Sequence, residues 1–175
     1  TTEPNRIPNP LALNLYTLGY DSDKKLTTLN TATKINLSNY LEQYRMLTDA
    51  VNIKDAFIIN FGFEFEITVY KSYNNQEILL DCITELKDYF SIDKWQVNQP
   101  IITSEVKNLI GAVTGVQTVE DVRFENKNGV SLGYSQYKYG FGGATKNNVI
   151  YPSMDPSIFE LKYPNTDIQG RVTTY

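Results

Sequence analysis

Ala56-Phe57-Ile58-Ile59-Asn60-Phe61-Gly62-Phe63-Glu64-Phe65-Glu66-Ile67-Thr68-Val69-Tyr70 decides the fold. After an apolar start at Phe57-Ile58-Ile59, residues Phe61, Phe63, Phe65, Ile67 and Val69 alternate with Asn60, Gly62, Glu64, Glu66 and Thr68. Side chains of a strand point alternately to its two faces, so this pattern predicts one long strand with a core face and a water face. At roughly 3.3 Å per residue an unbroken strand here runs near 50 Å. A bulge or bend is therefore expected near Gly62.

Downstream, Asn74 with Glu77 three residues on predicts a capped helix, and Leu79, Cys82, Ile83, Leu86 and Phe90 form its apolar stripe. A shorter helix is expected from Thr103 or Ser104, with Val106, Leu109, Ile110 and Val113 inward and Gly115 as its C-terminal cap. Residues 116–124 are rich in β-formers, and Asn128-Gly129 signals a hairpin. Upstream, residues 11–20 alternate as a strand and end in the turn Asp21-Ser22-Asp23. Leu37, Tyr40, Leu41, Tyr44, Leu47, Thr48 and Val51 then fall at helical spacing.

The element order implies an α+β fold, a mixed sheet with two to three helices packed on one face. Residues 1–10, with Pro4, Pro8 and Pro10, read as a linker from an upstream domain. Residues 11–130 read as the α+β domain. Residues 131–175 hold six of the thirteen tyrosines, four glycines within eleven positions (133–143) and Pro152, Pro156 and Pro164, which predicts an extended Gly/Tyr/Pro-rich arm. The start at Thr1, with neither a methionine nor a charged-then-apolar leader, reads as a piece of a longer protein.

Composition narrows the chemistry. The chain of 175 residues has no histidine and one cysteine, so it cannot by itself build a Ser-His-Asp triad, a His-ligated metal site or an internal disulfide. Its net charge of −4 argues against a dedicated nucleic-acid groove or binding to an anionic membrane. Glu64 and Glu66 share a strand face about 7 Å apart, a separation found between glycosidase carboxylates, but a solvated face explains them better. Asp21-Ser22-Asp23 lacks the glycine and closing glutamate of a calcium loop and reads as a polar hairpin tip. In Gly140-Phe141-Gly142-Gly143-Ala144-Thr145-Lys146 the spacing is wrong for a phosphate loop. Cys82 falls on a core stripe and reads as a small buried hydrophobe. No catalytic residue, cofactor site or metal site is expected.

What remains is aromatic. Tyr134, Tyr137, Tyr139 and Phe141 with Lys138 could stack bases, but the acidic balance favours contact with protein. Residues 158–163 alternate apolar and charged between Pro156 and Pro164, forming a lone strand that must join a sheet edge, in its own subunit or a neighbour's. The residues expected at a protein interface are Tyr134, Tyr137, Tyr139, Phe141, Tyr151, Met154, Phe159, Leu161 and Tyr163.

Two blocks carry a family texture. One begins Asn39-Tyr40-Leu41-Glu42-Gln43-Tyr44-Arg45 and runs on to Asn60; the other is Tyr151-Pro152-Ser153-Met154-Asp155-Pro156-Ser157 continuing to Pro164. With Asp93-Lys94-Trp95-Gln96-Val97-Asn98-Gln99-Pro100 between them, the order resembles the C-terminal part of the large baseplate wedge subunit of contractile-tailed (myovirus) phages, similar to baseplate J-like proteins. The resemblance spans residues 8–172 and carries no catalytic signature. It implies a virion structural protein of the tail baseplate, made in the cytoplasm of the bacterial host, and not an enzyme. It further implies that the subunit pairs with itself in dimer or ring contacts, binds other wedge proteins and links wedges into the ring around the tail tube. No nucleic acid, membrane or small-molecule partner is expected. The alternatives are a carbohydrate- or host-surface-binding module of a phage tail, and a hydrolase that works with carboxylates alone.

Overall fold

A computed structural model describes residues 13–44, 50–152 and 156–173. The chain is α+β and divides into two compact units, residues 1–56 and 57–175. The division thus falls at Ala56/Phe57, not at the expected boundary near 130. The expected linker over residues 1–10 lies outside the described residues.

In the first unit, β1 (Leu13–Thr17) pairs in parallel with β4 (Val51–Asp55), and α1 (Thr31–Glu42) lies between them in sequence. The single strand expected up to Tyr20 breaks at Leu18, after which β2 (Gly19–Tyr20) pairs antiparallel with β3 (Leu26–Thr27). Their turn is built by Asp21, whose Oδ1 accepts the amides of Asp23 and Lys25 at 2.9 Å each. Asp21-Ser22-Asp23 is thus the hairpin tip its composition suggests.

Helix α1 differs from its expected extent. Asn30 caps it, accepting the Thr33 amide at 2.7 Å, and Gln43 closes it. The helical stripe read through Val51 therefore merges two elements, because Val51 opens β4 and Tyr44 lies past the helix end. Leu47 and Thr48 lie outside the described residues. No residue of α1 is buried, so it does not supply the core face expected of it. An ion pair of 2.6 Å between Lys34 and Asp55 ties α1 to β4.

The second unit is organised by β5 (Phe57–Val69), the 13-residue strand that the alternation predicts. Phe61, Phe63, Phe65 and Ile67 are all buried. Two helices that pack on each other follow, α2 (Asn75–Tyr89) and α3 (Thr103–Gly111), the latter preceded by β6 (Ile101–Ile102). Helix α2 is capped by Asn74, which accepts the Gln76 amide at 3.0 Å, and it buries Ile78, Cys82 and Leu86. Helix α3 buries Val106 and Ile110. Ring contacts of 5.1 Å between Phe61 and Phe90, and 6.2 Å between Phe63 and Phe90, join the end of α2 to the strand. Gly115 adopts φ +103°, but in the turn leading out of α3 rather than as its cap, which is Ala112.

Strand β7 (Val116–Asn126) runs antiparallel along one edge of β5. No bulge falls at Gly62; the irregularities lie opposite Glu66/Ile67 and Thr68/Val69, where β7 carries the extra residues. Asn128-Gly129 does not make a hairpin. The chain instead enters a 3-10 turn at Val130–Leu132, with Gly129 and Gly133 at φ +124° and +83°.

After this turn come α4 (Phe141–Ala144), β8 (Thr145–Lys146) and β9 (Val149–Ile150); β9 pairs with both β6 and β8 in a small antiparallel sheet. Then β10 (Ser157–Glu160), α5 (Pro164–Asp167) and β11 (Ile168–Val172) follow. Strands β10 and β11 pair in parallel with Phe57–Asn60 and Phe63–Ile67, one after the other along the edge of β5 opposite β7. Residues 131–175 therefore do not form an arm separate from the domain. They supply two strands of its central sheet, and Ile150, Ile158, Phe159 and Ile168 are part of its core.

Candidate interaction surface

The water face of β5 presents Glu64 and Glu66 as their alternation requires. Across the strands Glu64 faces Arg123 and Gln169, and Glu66 faces Asp121 and Arg171, lining a shallow depression of about 370 Å³. Arg123 pairs with Asp121 at 2.7 Å, and Glu66 accepts the Thr173 hydroxyl. The Val122 amide, ahead of Arg123 and Lys107, holds the Asp121 carboxyl below the usual carboxylate range. Cationic and anionic groups alternate here, the pattern of cross-strand charge pairing. Cys82 is fully buried on α2, and burial, followed by Asp81, pushes its thiol up to about 11, which suits a core side chain. In the 140–146 segment, Phe141–Ala144 forms a single helical turn and Lys146 falls on β8.

Most of the aromatic side chains expected at an interface turn inward. Phe141, Phe159 and Leu161 are buried, and Phe159 is 1% exposed. Phe141 stacks on Phe124 with ring centroids 6.2 Å apart, and Phe159 meets Phe61 edge-on at 6.3 Å. Tyr137 lies against Phe57 at 4.8 Å. Tyr139 packs on Phe141 and Phe159 at 5.0 and 5.6 Å, and its hydroxyl donates to the Tyr151 carbonyl. Tyr134 and Tyr163 meet edge to face at 5.3 Å, and the Tyr134 hydroxyl donates to buried Asp167 at 2.5 Å. Burial and then Asp167 push the Tyr134 hydroxyl well above its usual range. Only Tyr151 of the set is exposed, while Met154 lies outside the described residues. The phenylalanine rings fill the core, and the half-buried tyrosines pack at its margin, where the Tyr134 and Tyr139 hydroxyls find acceptors, which is why tyrosine-richness misleads as a sign of an outward surface.

The exposed apolar residues lie elsewhere. Leu13, Ile35 and Leu80 are among them, and Val130 and Leu132, 72% and 69% exposed, stand two apart on the 3-10 turn after β7. That turn is closed by main-chain bonds: the Leu132 amide donates to Gly129, the Gly133 amide to Val130, and the Gly129 amide to Ser135, each at 3.0 Å. Positive φ at Gly129 and Gly133 permits the tight geometry, which residues with a Cβ adopt at a cost. Sequence reasoning missed these two side chains because Asn128-Gly129 reads as a hairpin signal. The spacing Gly-Val-Ser-Leu-Gly, with apolar residues two apart between glycines, is the signal that could have found them.

No protein-family model and no curated protein matches this chain.

Proposed function

We propose that this chain is a structural subunit of a contractile-tail baseplate wedge, joining copies of itself and other wedge proteins in the ring around the tail tube. The observation that carries the assembly role is the Val130–Leu132 turn, an ordered main chain that holds two large apolar side chains in water. Exposed apolar groups on an ordered tip are stabilised when a partner covers them, and contact energy concentrates in such anchors. The baseplate assignment rests on the sequence resemblance over residues 8–172. The test is immunogold labelling, with antibodies raised against this chain, of contractile-tailed particles whose genome encodes it. Gold at the sheath-distal end of the tail is expected; particles without label, or with label on the head or neck, overturn the assignment.

A further inference from the structure

We infer that the outer edge of β7 is a docking site for an extended, acidic segment of a partner protein, which adds to the sheet as one further strand. The register of the ladder identifies the groups available. The Lys127 amide donates to the Asn60 carbonyl at 3.0 Å, and the pairing from Phe61↔Asn126 to Glu66↔Asp121 is regular. In an antiparallel pair, hydrogen-bonded residues alternate. Arg123 and Glu125 therefore turn their main-chain groups toward β5, and Val122 and Phe124 turn theirs away from it. The Val122 amide is taken by Asp121 Oδ1 at 2.8 Å. The Val122 carbonyl and both main-chain groups of Phe124 are left facing outward.

Outward main-chain groups are the template on which a foreign strand pairs, and native edges are commonly blunted by bulges. Strand β7 carries such irregularities only in its first half, before Asp121, and its second half is straight. Beside that straight half lies a cavity of about 460 Å³, within the range of ligand-sized sites. Val122, Phe124, Phe141 and Ile150 give it apolar walls, and of its two cationic lining residues Arg123 is already paired with Asp121, which leaves Lys107 to meet an incoming carboxylate. Residues of α3 (Thr103, Ser104, Lys107) and of the α4–β8 segment (Phe141, Gly142, Thr145) supply most of the rest of its lining. A groove with two walls admits a lone strand, whereas the edge of another folded sheet brings its neighbours with it. Pairing with Phe124, apolar walls and Lys107 together select an extended segment with apolar residues facing the cavity and a carboxylate facing Lys107.

This inference rests on the strand edge alone, and particle labelling tests the assembly role separately. The probe is a pool of fluorescent, end-blocked seven-residue peptides alternating Thr with Val or Phe and ending in either Glu or Lys, followed by anisotropy with the 175-residue chain. Glu-ended peptides are expected to bind saturably, with Kd below about 1 mM. Lys107→Glu should weaken them at least about tenfold, and N-methylation of alternate amides should abolish binding. A Cβ added at Gly142 meets nothing within 4 Å, so Gly142→Phe fills the cavity mouth while leaving the core intact, and it too should remove binding. Denaturant midpoints of both variants establish that they fold. Absence of saturable binding across the pool, equal binding of Lys-ended peptides, or binding indifferent to N-methylation each overturns the inference. Self-association of the chain that disappears in Gly142→Phe places a second copy's strand in the groove, which also overturns the assignment to a foreign segment.

Discussion

The Asn60 side chain, fully buried in β5, donates to the carboxylate of buried Glu160 in β10 at 2.7 Å, across 100 residues of sequence. Its Oδ1 accepts the Ser135 amide at 2.7 Å, and the Asn60 carbonyl accepts from Asn126 and Lys127. One side chain thus binds the second strand of the sheet to the loop after β7. Leucine at this position removes a donor from a buried carboxylate. We expect Asn60→Leu to cost about 2–3 kcal/mol in urea unfolding, with Asn60→Leu/Glu160→Leu costing less than the two single changes together. Simple additivity would show that the pair is not coupled.

Removing everything after Gly133 takes away β10 and β11 and, with them, Ile158, Phe159 and Ile168 from the core. A separate arm would tolerate this loss. Here the truncated chain should lose its cooperative urea transition and bind a hydrophobic dye. A sharp transition near the parent midpoint would contradict the packing of β10 and β11 described above.

Phe63 and its sequence neighbour Glu64 test the faces of β5. Phe63 has no exposure and touches Phe65, Phe90 and Phe124, with ring centroids 5.8, 6.2 and 4.9 Å away. Phe63→Ala should destabilise by about 3–5 kcal/mol, as other large core truncations do. Glu64→Ala should stay within about 0.5 kcal/mol of the parent. Equal denaturant midpoints for the two variants would mean the faces are reversed.

The turn at Val130–Leu132 gives the opposite expectation. Val130→Asp/Leu132→Asp should leave the urea midpoint within about 0.5 kcal/mol of the parent, since neither side chain packs in the core. The same variant should fail to enter assembled particles when it replaces the parent during infection. Incorporation at parental levels would remove the turn from the contact surface.

Alkaline pH should destabilise the fold through groups that burial keeps protonated. Burial, and then Glu105 beside it, pushes Tyr89 from 10.0 up to about 12; burial, and then Asp81, pushes Cys82 from 9.0 up to about 11. Each folded value lies above the unfolded one, so each contribution is complete below the unfolded value and is lost as pH rises through the folded value. Stability should therefore fall from pH 9 upward, with the Tyr89 part lost between pH 10 and about 12. Urea midpoints across this range, together with tyrosinate absorbance, measure it. A Cys82 thiol that reacts as fast in the folded chain as in urea would contradict its burial.

The elements legible in the sequence are those whose cause is local. The alternation of β5 follows from one face meeting the core while the other reaches water at Glu64 and Glu66, and Asn74 caps α2 through its own side chain. Helix α1 misled because Leu37, Tyr40, Leu41 and Tyr44 continue in helical register into Val51, although the main chain leaves the helix after Glu42. The interface residues misled for a different reason. Whether Phe159 faces outward or inward is set by the pairing Phe159↔Ile59, which no window of neighbouring residues contains. The edge of β7 was equally hidden, since its free groups belong to the main chain and any sequence supplies them.

The parallel pairing of β5 with two strands made about 100 residues later also sets a timetable for synthesis. At the usual pace of about 5–20 residues per second, Phe57-Ile58-Ile59 leaves the ribosome roughly 5–20 s before its partners in β10 exist. Until then an apolar, β-prone edge stands open in the nascent chain, the kind of segment on which aggregates start. Contacts of such long range also form slowly once the chain is complete. Yield of this protein in a cell is therefore expected to fall when that unfinished strand goes unshielded.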